Sequence, residues 1–147
     1  MIARWFAVIQ RHVISNMARI DTLSDVLGTE SRRVNVVLFS QPGCEFCAEE
    51  REHYLKPLAA ERRRELNIVE VDIEATRRMR DWRGRSVTQS DFAAASGARF
   101  SPTVMFLDAS GKSLAEPIVG LSRDFFGVYL DQRIAAAIRA AARQETS

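Results

Sequence analysis

The chain has 147 residues, of which 46% are hydrophobic and 27% charged, as expected for one ordinary globular domain. Its 21 basic and 19 acidic residues nearly balance, and the arginine runs at 62–64 and 77–78 are flanked by acidic side chains. This pattern is typical of a solvated surface and argues against a nucleic-acid site. The sequence has no run of 18 apolar residues, so it predicts no membrane-spanning helix.

Residues 2–27 favour a helix, because apolar side chains recur at steps of three and four. We expect residues 1–30 to form an N-terminal helical extension and residues 31–147 to form the main domain. An amphipathic helix packed on its own domain is the main interpretation, and contact with a membrane surface or a second copy is the alternative. The apolar stretch at residues 5–9 is too short for the core of a signal peptide, so no secretory signal is recognised.

Strand and helix patterns alternate in the middle of the chain. Residues 34–39 form a short apolar run rich in valine, which predicts a buried central strand. The charged segment after Cys44 predicts a helix that kinks or restarts at Pro57, where a backbone donor is lost. Residues 67–73 alternate as a second strand, and the polar residues 74–87 are predicted as a long, irregular connection.

The C-terminal half predicts a short helix followed by a β-hairpin. Ser90 is predicted to cap a helix over residues 91–96. Residues 104–107 and 113–119 are predicted as antiparallel strands, and Pro117 favours an edge position for the second of them.

A final helix is predicted after Ser122, which is expected to act as its N-cap. Its apolar face is predicted to comprise Phe125, Phe126, Tyr129, Leu130, Ile134 and Ile138. The order of elements predicts an α/β fold in which a four-stranded mixed sheet is flanked by helices on both faces, with the extra helical segment at the N-terminus.

Both cysteines of the chain lie at the junction between the first predicted strand and its helix. Cys44 and Cys47 are separated by two residues, a spacing typical of a dithiol/disulfide switch. In the first turn of a helix, a Cys44 thiolate meets unpaired N–H groups and the positive end of the helix dipole. This environment lowers a thiol pKa and predicts Cys44 as the attacking sulfur. Cys47, one turn later, is predicted to attack a mixed disulfide on Cys44 and release the reduced partner.

Two inert buried thiols and half of a metal site are the alternatives for this pair. A tetrahedral zinc site needs four ligands, and the histidines of the chain are His12 and His53, the first of them far away in sequence. We therefore expect no metal. We expect no cofactor either, because the electrons of thiol–disulfide exchange reside on the sulfurs.

The CxxC motif at residues 44–47, the Ser101-Pro102-Thr103 segment before the hairpin and Gly120 before the last helix together resemble the thioredoxin superfamily. The resemblance covers roughly residues 33–143 and implies the thioredoxin fold. It also implies a cis peptide bond before Pro102, in a loop that lies against the first cysteine and pairs with the substrate backbone. The residues that it implies for substrate contact are Phe46, Ser101, Pro102 and Thr103.

Within the superfamily, residues 39–44, 100–108 and 117–121 are similar to periplasmic thioredoxin-like thiol:disulfide interchange proteins, including those associated with bacterial sulfur oxidation. This similarity implies a periplasmic location. A cytoplasmic location is the alternative, because the start of the chain carries no recognised signal peptide.

The chain departs from ordinary thioredoxins close to the cysteines. Gly43 stands where they carry a tryptophan, and Glu45 and Phe46 stand where they carry Gly-Pro. Leu38 replaces the buried aspartate of the family, so proton transfer from the second cysteine requires another base or water. A carboxylate at Glu45 opposes ionisation of the first cysteine and predicts a less oxidising couple, whereas a solvated Glu45 has little effect.

These observations predict a thiol–disulfide oxidoreductase that acts on protein disulfides, with Cys44 as nucleophile and Cys47 as resolving cysteine, and they favour a reductase. The expected partners are protein disulfide or dithiol substrates and an upstream thiol donor. One alternative is a glutaredoxin-like enzyme that depends on glutathione. The other is a redox-inert thioredoxin-fold module for binding or chaperoning, whose disulfide is structural.

Overall fold

The computed structural model describes residues 26–29 and 33–146. The strands in this part of the chain are β1 Val34–Ser40, β2 Leu66–Asp72, β3 Arg78–Arg80, β4 Ser86–Thr88, β5 Thr103–Leu107 and β6 Ser113–Val119. The helical segments are α1 Glu45–Glu50, a π-helical segment Arg51–Leu55, α2 Lys56–Glu61, α3 Gln89–Ala95 and α4 Phe126–Glu145. The N-terminal helix predicted over residues 2–27 falls almost entirely outside the described residues, and residues 26–29 are irregular. No helix among the described residues is both long and apolar enough to cross a membrane.

The main sheet has the strand order β2-β1-β5-β6. The strand β1 pairs in parallel with β2 and antiparallel with β5, and β6 continues the hairpin from β5. Every residue of β1 is buried, as expected for an apolar strand with a neighbour on each side. The predicted α/β architecture with a mixed four-stranded sheet is therefore confirmed. As Pro117 indicated, β6 lies at an edge of this sheet.

Hydrophobic cores cover both faces of the sheet. On one face, α4 contributes Phe126 and the π-helical segment contributes Leu55 to a core that also contains Phe106, and all three are fully buried. On the other face, α3 and β3 pack over Phe39, whose ring stacks on that of Phe92 with centroids 6.2 Å apart. Each fully buried side chain of this size stabilises the fold by about 1.5–3 kcal/mol. The sheet is thus held between two layers of buried side chains, and the loops at its ends carry the candidate site.

The helix that follows the cysteines is interrupted by a π-helical turn and then restarts, as predicted from Pro57. Proline has no N–H to donate to the carbonyl of residue 53, so the regular pattern of hydrogen bonds fails there. The N–H of Lys56 instead donates to the carbonyl of Arg51, five residues earlier, which makes this turn π-helical. The chain then continues as α2, with Pro57 in its first turn.

The connection predicted as irregular over residues 74–87 contains a second, small sheet, so that part of the prediction is wrong. The strands β3 and β4 pair antiparallel, with Met79 opposite Val87. In the turn between them, the Asp81 side chain accepts hydrogen bonds from the backbone N–H groups of Arg83 and Arg85. Met79 is buried in the second core, which anchors this hairpin on the main domain.

The starts of two helices also differ from the prediction. The N-cap of α3 is Thr88 rather than Ser90, because its hydroxyl accepts the N–H of Asp91 at 3.1 Å. The helix α4 begins at Phe126 without a side-chain cap, and Ser122 contributes its backbone carbonyl to the preceding turn. The predicted apolar face of α4 is wrong at Phe125 and Tyr129, which are exposed.

Candidate active site

A tight turn leads from the central strand into the cysteine-bearing helix. The chain leaves β1 at Ser40, and the N–H of Cys44 donates to the carbonyl of Gln41 at 3.3 Å. Gly43 has φ +75°, a left-handed conformation that glycine adopts without steric strain. The turn places Cys44 at the N-cap of α1.

The two cysteines form a disulfide whose sulfurs differ in access to solvent. Their Cα atoms lie 5.2 Å apart, and the backbone N–H of Cys47 donates to Sγ of Cys44 at 3.1 Å. Cys44 is half-buried, whereas Cys47 is fully buried. Of the two residues, only Cys44 is therefore accessible from solvent. The N–H that points at Cys44 belongs to the unpaired donors of the helix N-terminus, which stabilise negative charge.

A second loop lies beside the cysteine turn. Phe39 pairs with Thr103, so the residues after β1 and those before β5 emerge side by side from the sheet. The Ser101-Pro102 peptide bond is cis, and Pro102 is buried. The N–H of Gly120 donates to the carbonyl of Pro102 at 2.8 Å, which ties this cis-proline loop to the end of β6.

Gln41 joins the cysteine turn to the cis-proline loop, a role that the sequence did not indicate. Its side-chain oxygen accepts the hydroxyl hydrogen of Ser101, and its Nε2 donates to Glu74 at 2.6 Å. A single amide side chain thus connects three loops. Glutamine can do this because its amide carries both an acceptor and donors.

Thr103 supports the cis-proline loop from inside. It is 4% exposed, and its hydroxyl donates to the carbonyl of Phe100 at 2.7 Å. The Thr103 side chain therefore faces the protein interior, although its resemblance-based role was substrate contact. Phe100 itself is 69% exposed beside this loop, and the sequence analysis did not single it out.

Phe46 is exposed between the cysteines and lies under an arginine from a distant loop. The guanidinium carbon of Arg123 is 5.5 Å from the centroid of the Phe46 ring, within the range of a cation–π contact. Arg123 also donates hydrogen bonds from Nε and Nη2 to the carboxylate of Glu49, at 3.0–3.2 Å. These hydrogen bonds hold the pKa of Glu49 below its usual value. Sequence analysis missed Arg123 because 74 residues separate it from Glu49.

Comparison with known proteins agrees with this geometry. The model of the thioredoxin-like domain family matches residues 21–125, which is 105 of the 147 residues. The chain belongs to the thioredoxin-like domain family. A comparison with curated proteins finds no match.

Solved structures similar to this thioredoxin-like protein share its fold. A thioredoxin-fold protein from Helicobacter pylori is 15% identical with a TM-score of 0.51, over 81% of this chain and 88% of that one. Fasciola hepatica thioredoxin is 21% identical with a TM-score of 0.52, over 71% and 80% of the two chains. Malassezia sympodialis thioredoxin is 19% identical with a TM-score of 0.52, over 72% and 79%. The thioredoxin fold and superfamily are thus confirmed, and the similarity to periplasmic members stays a prediction.

Glu45 of the thioredoxin-like protein is exposed at the first position of α1. Its charge acts on Arg123 across the surface and helps to raise the pKa of that guanidinium, after the larger effects of Glu49. The acid beside Cys44 therefore has a counter-charge nearby. Solvent and this counter-charge both weaken its effect on the sulfur.

Glu50 is a buried acid that the sequence analysis overlooked. It is 0% exposed, and neither carboxylate oxygen has a hydrogen-bond partner within the described residues. Burial, followed by the charge of Glu49, raises the pKa of Glu50 to about 8. A signal was present in the sequence, because Glu50 lies three residues after Cys47 and residues three apart on a helix are neighbours on its surface. Its charged neighbours concealed that signal.

The described residues contain no group of three or more His, Cys, Asp or Glu side chains that is placed to hold a metal ion. A thioredoxin-like fold with a CxxC pair supports thiol–disulfide oxidoreductase activity in general.

Proposed function

We propose that the protein reduces protein disulfides, with Cys44 as nucleophile and Cys47 as resolving cysteine. The observation that carries this proposal is the unequal access to the two sulfurs at the start of a helix. The outer sulfur of Cys44 attacks the substrate and forms a mixed disulfide. The buried sulfur of Cys47 then attacks Cys44, which releases the reduced substrate and restores the Cys44–Cys47 bond.

The cis-proline loop and the aromatic rim around it are the proposed substrate groove. Ser101 and Pro102 lie in the loop beside the cysteine turn, and in this proposal an extended substrate segment pairs with their backbone. Phe46, between the two cysteines in sequence, and Phe100, just before the cis-proline loop, are 48% and 69% exposed. Exposed aromatic rings at a site favour partners with apolar side chains. We therefore propose substrates whose disulfide is flanked by apolar residues, with Thr103 holding the loop in shape.

The proposed direction is reduction, in a periplasmic setting and with an upstream thiol donor. The acid Glu45 next to Cys44 opposes thiolate formation, and the part of this effect that solvent and Arg123 leave disfavours a strongly oxidising couple. The periplasmic location follows from the sequence similarity alone. The donor is a dithiol or thiol able to attack the exposed Cys44 sulfur.

The reduction potential of the Cys44–Cys47 couple tests this proposal. The protein is equilibrated in graded thiol/disulfide buffers, and its free thiols are counted by alkylation and mass. A reductase is expected to give a potential near about −270 mV, whereas a value near about −120 mV indicates an oxidase and contradicts the proposed direction. If the disulfide does not exchange at all, the protein is a redox-inert module. Turnover with a glutathionylated peptide, but not with a protein disulfide, would contradict the proposed substrate class.

A further inference from the structure

The β3–β4 hairpin concentrates positive charge on a chain that is nearly neutral overall. Five arginines and one aspartate lie within residues 77–85, so this stretch carries a net charge of +4. The whole chain carries only +2, and the residues outside this stretch are therefore slightly acidic in sum. A concentrated field of one sign attracts partners of the opposite sign and raises their rate of association.

The acidic residues that flank these arginines in sequence are engaged by other groups. The Asp81 carboxylate accepts hydrogen bonds from Nε of Arg85 and from two backbone N–H groups of the turn. Glu74 accepts a hydrogen bond from the cysteine turn, at the other end of the segment. Neither acid therefore compensates the two arginines of β3.

These two arginines, Arg78 and Arg80, are held in place without losing their charge. The alternation along β3 buries Met79 between them and leaves both exposed. Nη2 of Arg78 donates to the carbonyl of Ser86 at 2.8 Å, and Nη1 of Arg80 donates to the carbonyl of Gly84 at 3.0 Å. Among the described residues, neither forms an ion pair with a carboxylate. Because a guanidinium has five donors, both arginines keep N–H groups for an anionic ligand.

Arg78 and Arg80 line a groove of about 630 Å³ beside the hairpin. The lining also includes the apolar side chains of Leu27, Met79 and Trp82. A carboxylate matches the planar fork of a guanidinium, and apolar side chains next to it can cover the carbon surface of the groove. This combination fits a short acidic segment that also carries apolar residues.

The groove lies at the end of the sheet opposite to the cysteines. The strand β5 begins at Thr103, beside the cis-proline loop, and ends at Leu107. The turn that follows β5 contributes Ala109 to the groove. A partner bound there therefore leaves the Cys44 sulfur accessible. We propose that this groove binds an acidic segment of a protein partner.

A peptide segment fits this surface better than a membrane or a nucleic acid does. A membrane surface is flat, whereas Arg78 and Arg80 line a concave groove. A nucleic acid is held by a series of cations that follow its phosphates, whereas these two arginines stand next to apolar side chains. The inference goes beyond the proposed function, because binding in the groove requires no reaction of the cysteines.

Fluorescence anisotropy with a short labelled peptide of glutamate and leucine tests this inference on the full-length protein. The wild-type protein is expected to bind the peptide at low salt and more weakly at high salt, because salt screens exposed charges. The double variant Arg78→Gln/Arg80→Gln is expected to raise Kd about fivefold or more. Arg78→Lys/Arg80→Lys keeps the charge but lacks the planar fork, so it should recover part of the affinity.

Arg63→Gln/Arg64→Gln is the matched control, because it removes the same charge from two exposed arginines in the turn after α2. It is expected to leave Kd within about twofold. A peptide with glutamine in place of glutamate should not bind. The small aromatic disulfide 5,5′-dithiobis(2-nitrobenzoate) checks the fold and the cysteines. Its first release of thionitrobenzoate reports attack by Cys44 and should be the same in both double variants and the wild type.

Three results would overturn the inference. They are a wild-type protein that does not bind the acidic peptide, an equal loss of affinity in the two glutamine double variants, and tighter binding of anionic vesicles or duplex DNA through Arg78 and Arg80. A wild-type protein that binds the peptide but shows no first release contradicts the proposed function and supports the docking groove.

Discussion

At the scale of single residues, the buried carboxyl of Glu50 makes folding stability depend on pH. Its pKa is raised from 4.5 to about 8 in the folded protein, so the folded chain binds an extra proton between these two pH values. The contribution of this group to stability is therefore fully present below about pH 4.5 and is lost as the pH rises towards 8. Glu50→Gln is expected to flatten this fall. Urea unfolding of both proteins at several pH values measures it, and equal pH dependence of the two would contradict the burial argument.

Arg123 provides a second prediction at this scale, because it holds Phe46 from above. Arg123→Ala is expected to release the ring and to raise KM for a protein disulfide about threefold or more, since an exposed cation–π contact is weak but fixes geometry. The first release from the small aromatic disulfide should not change, because it needs only the Cys44 sulfur. Arg139→Ala, on the exposed side of α4, is the matched control. A parallel loss of activity on both substrates would show that Arg123 acts on the cysteines rather than on the groove.

At the scale of elements, the turn between β5 and β6 packs against the small β3–β4 sheet at one point. A Cβ atom at Gly111 would lie 2.5 Å from Cδ1 of Trp82, and Gly111 has φ +85°. Gly111→Ala is therefore expected to cause both backbone strain and displacement of the indole. Gly97→Ala is the control, because its φ is +77° and no atom lies within 4 Å of the added carbon.

The expected difference between these two variants isolates the clash with Trp82. Backbone strain alone lowers the free energy of unfolding by about 1 kcal/mol, and this is the loss expected for Gly97→Ala. Gly111→Ala is expected to lose about 1–3 kcal/mol more than Gly97→Ala, the range found for overpacked sites. Urea unfolding gives the two free energies, and a shift of tryptophan emission in Gly111→Ala alone reports movement of the indole. Equal losses of unfolding free energy in the two variants would mean that the β3–β4 sheet moves to accommodate the added carbon.

Elements were predictable where hydrophobic burial alone decides them. The apolar run of β1 is stable only at the centre of the sheet, where both of its faces are buried. Pro117 restricts β6 to an edge of the sheet. The sheet β3–β4 was missed because its three-residue strands bury little beyond Met79, so no apolar alternation marks them. The cap at Thr88 was misplaced by two residues, since Ser90 offers the same hydroxyl chemistry.

The site was predictable in its chemistry but only partly in its surroundings. Two features of the site are recognisable from local sequence alone. They are the spacing of Cys44 and Cys47 and the Ser101-Pro102-Thr103 segment that leads into β5. Gln41 and Arg123 act through partners more than 30 residues away in sequence, which no local pattern encodes. Glu50 resembled a solvated acid in a charged helix, and its burial is decided by tertiary packing.

At the scale of the whole molecule, we expect different phenylalanines to provide stability and the proposed substrate binding. Phe106→Ala opens a cavity in the core under α4 and is expected to cost about 3–5 kcal/mol of unfolding free energy. Phe100→Ala removes an exposed ring and is expected to leave stability within about 0.5 kcal/mol, while KM for a protein disulfide rises. Urea unfolding and kinetics on a protein disulfide measure the two effects. A large loss of stability in Phe100→Ala would contradict the assignment of its ring to the groove.

The strand β6 also determines how the sheet meets other molecules. An open edge of backbone donors and acceptors is a template on which a second chain can add a strand, the first step of amyloid-like aggregation. Along β6, Pro117 lacks a donor, and the pairing with β5 is irregular near Phe106. A second copy therefore finds no continuous ladder on this side. On the β6 side, the protein can therefore keep exposed aromatic rings without also offering a regular strand edge on which a second copy could add.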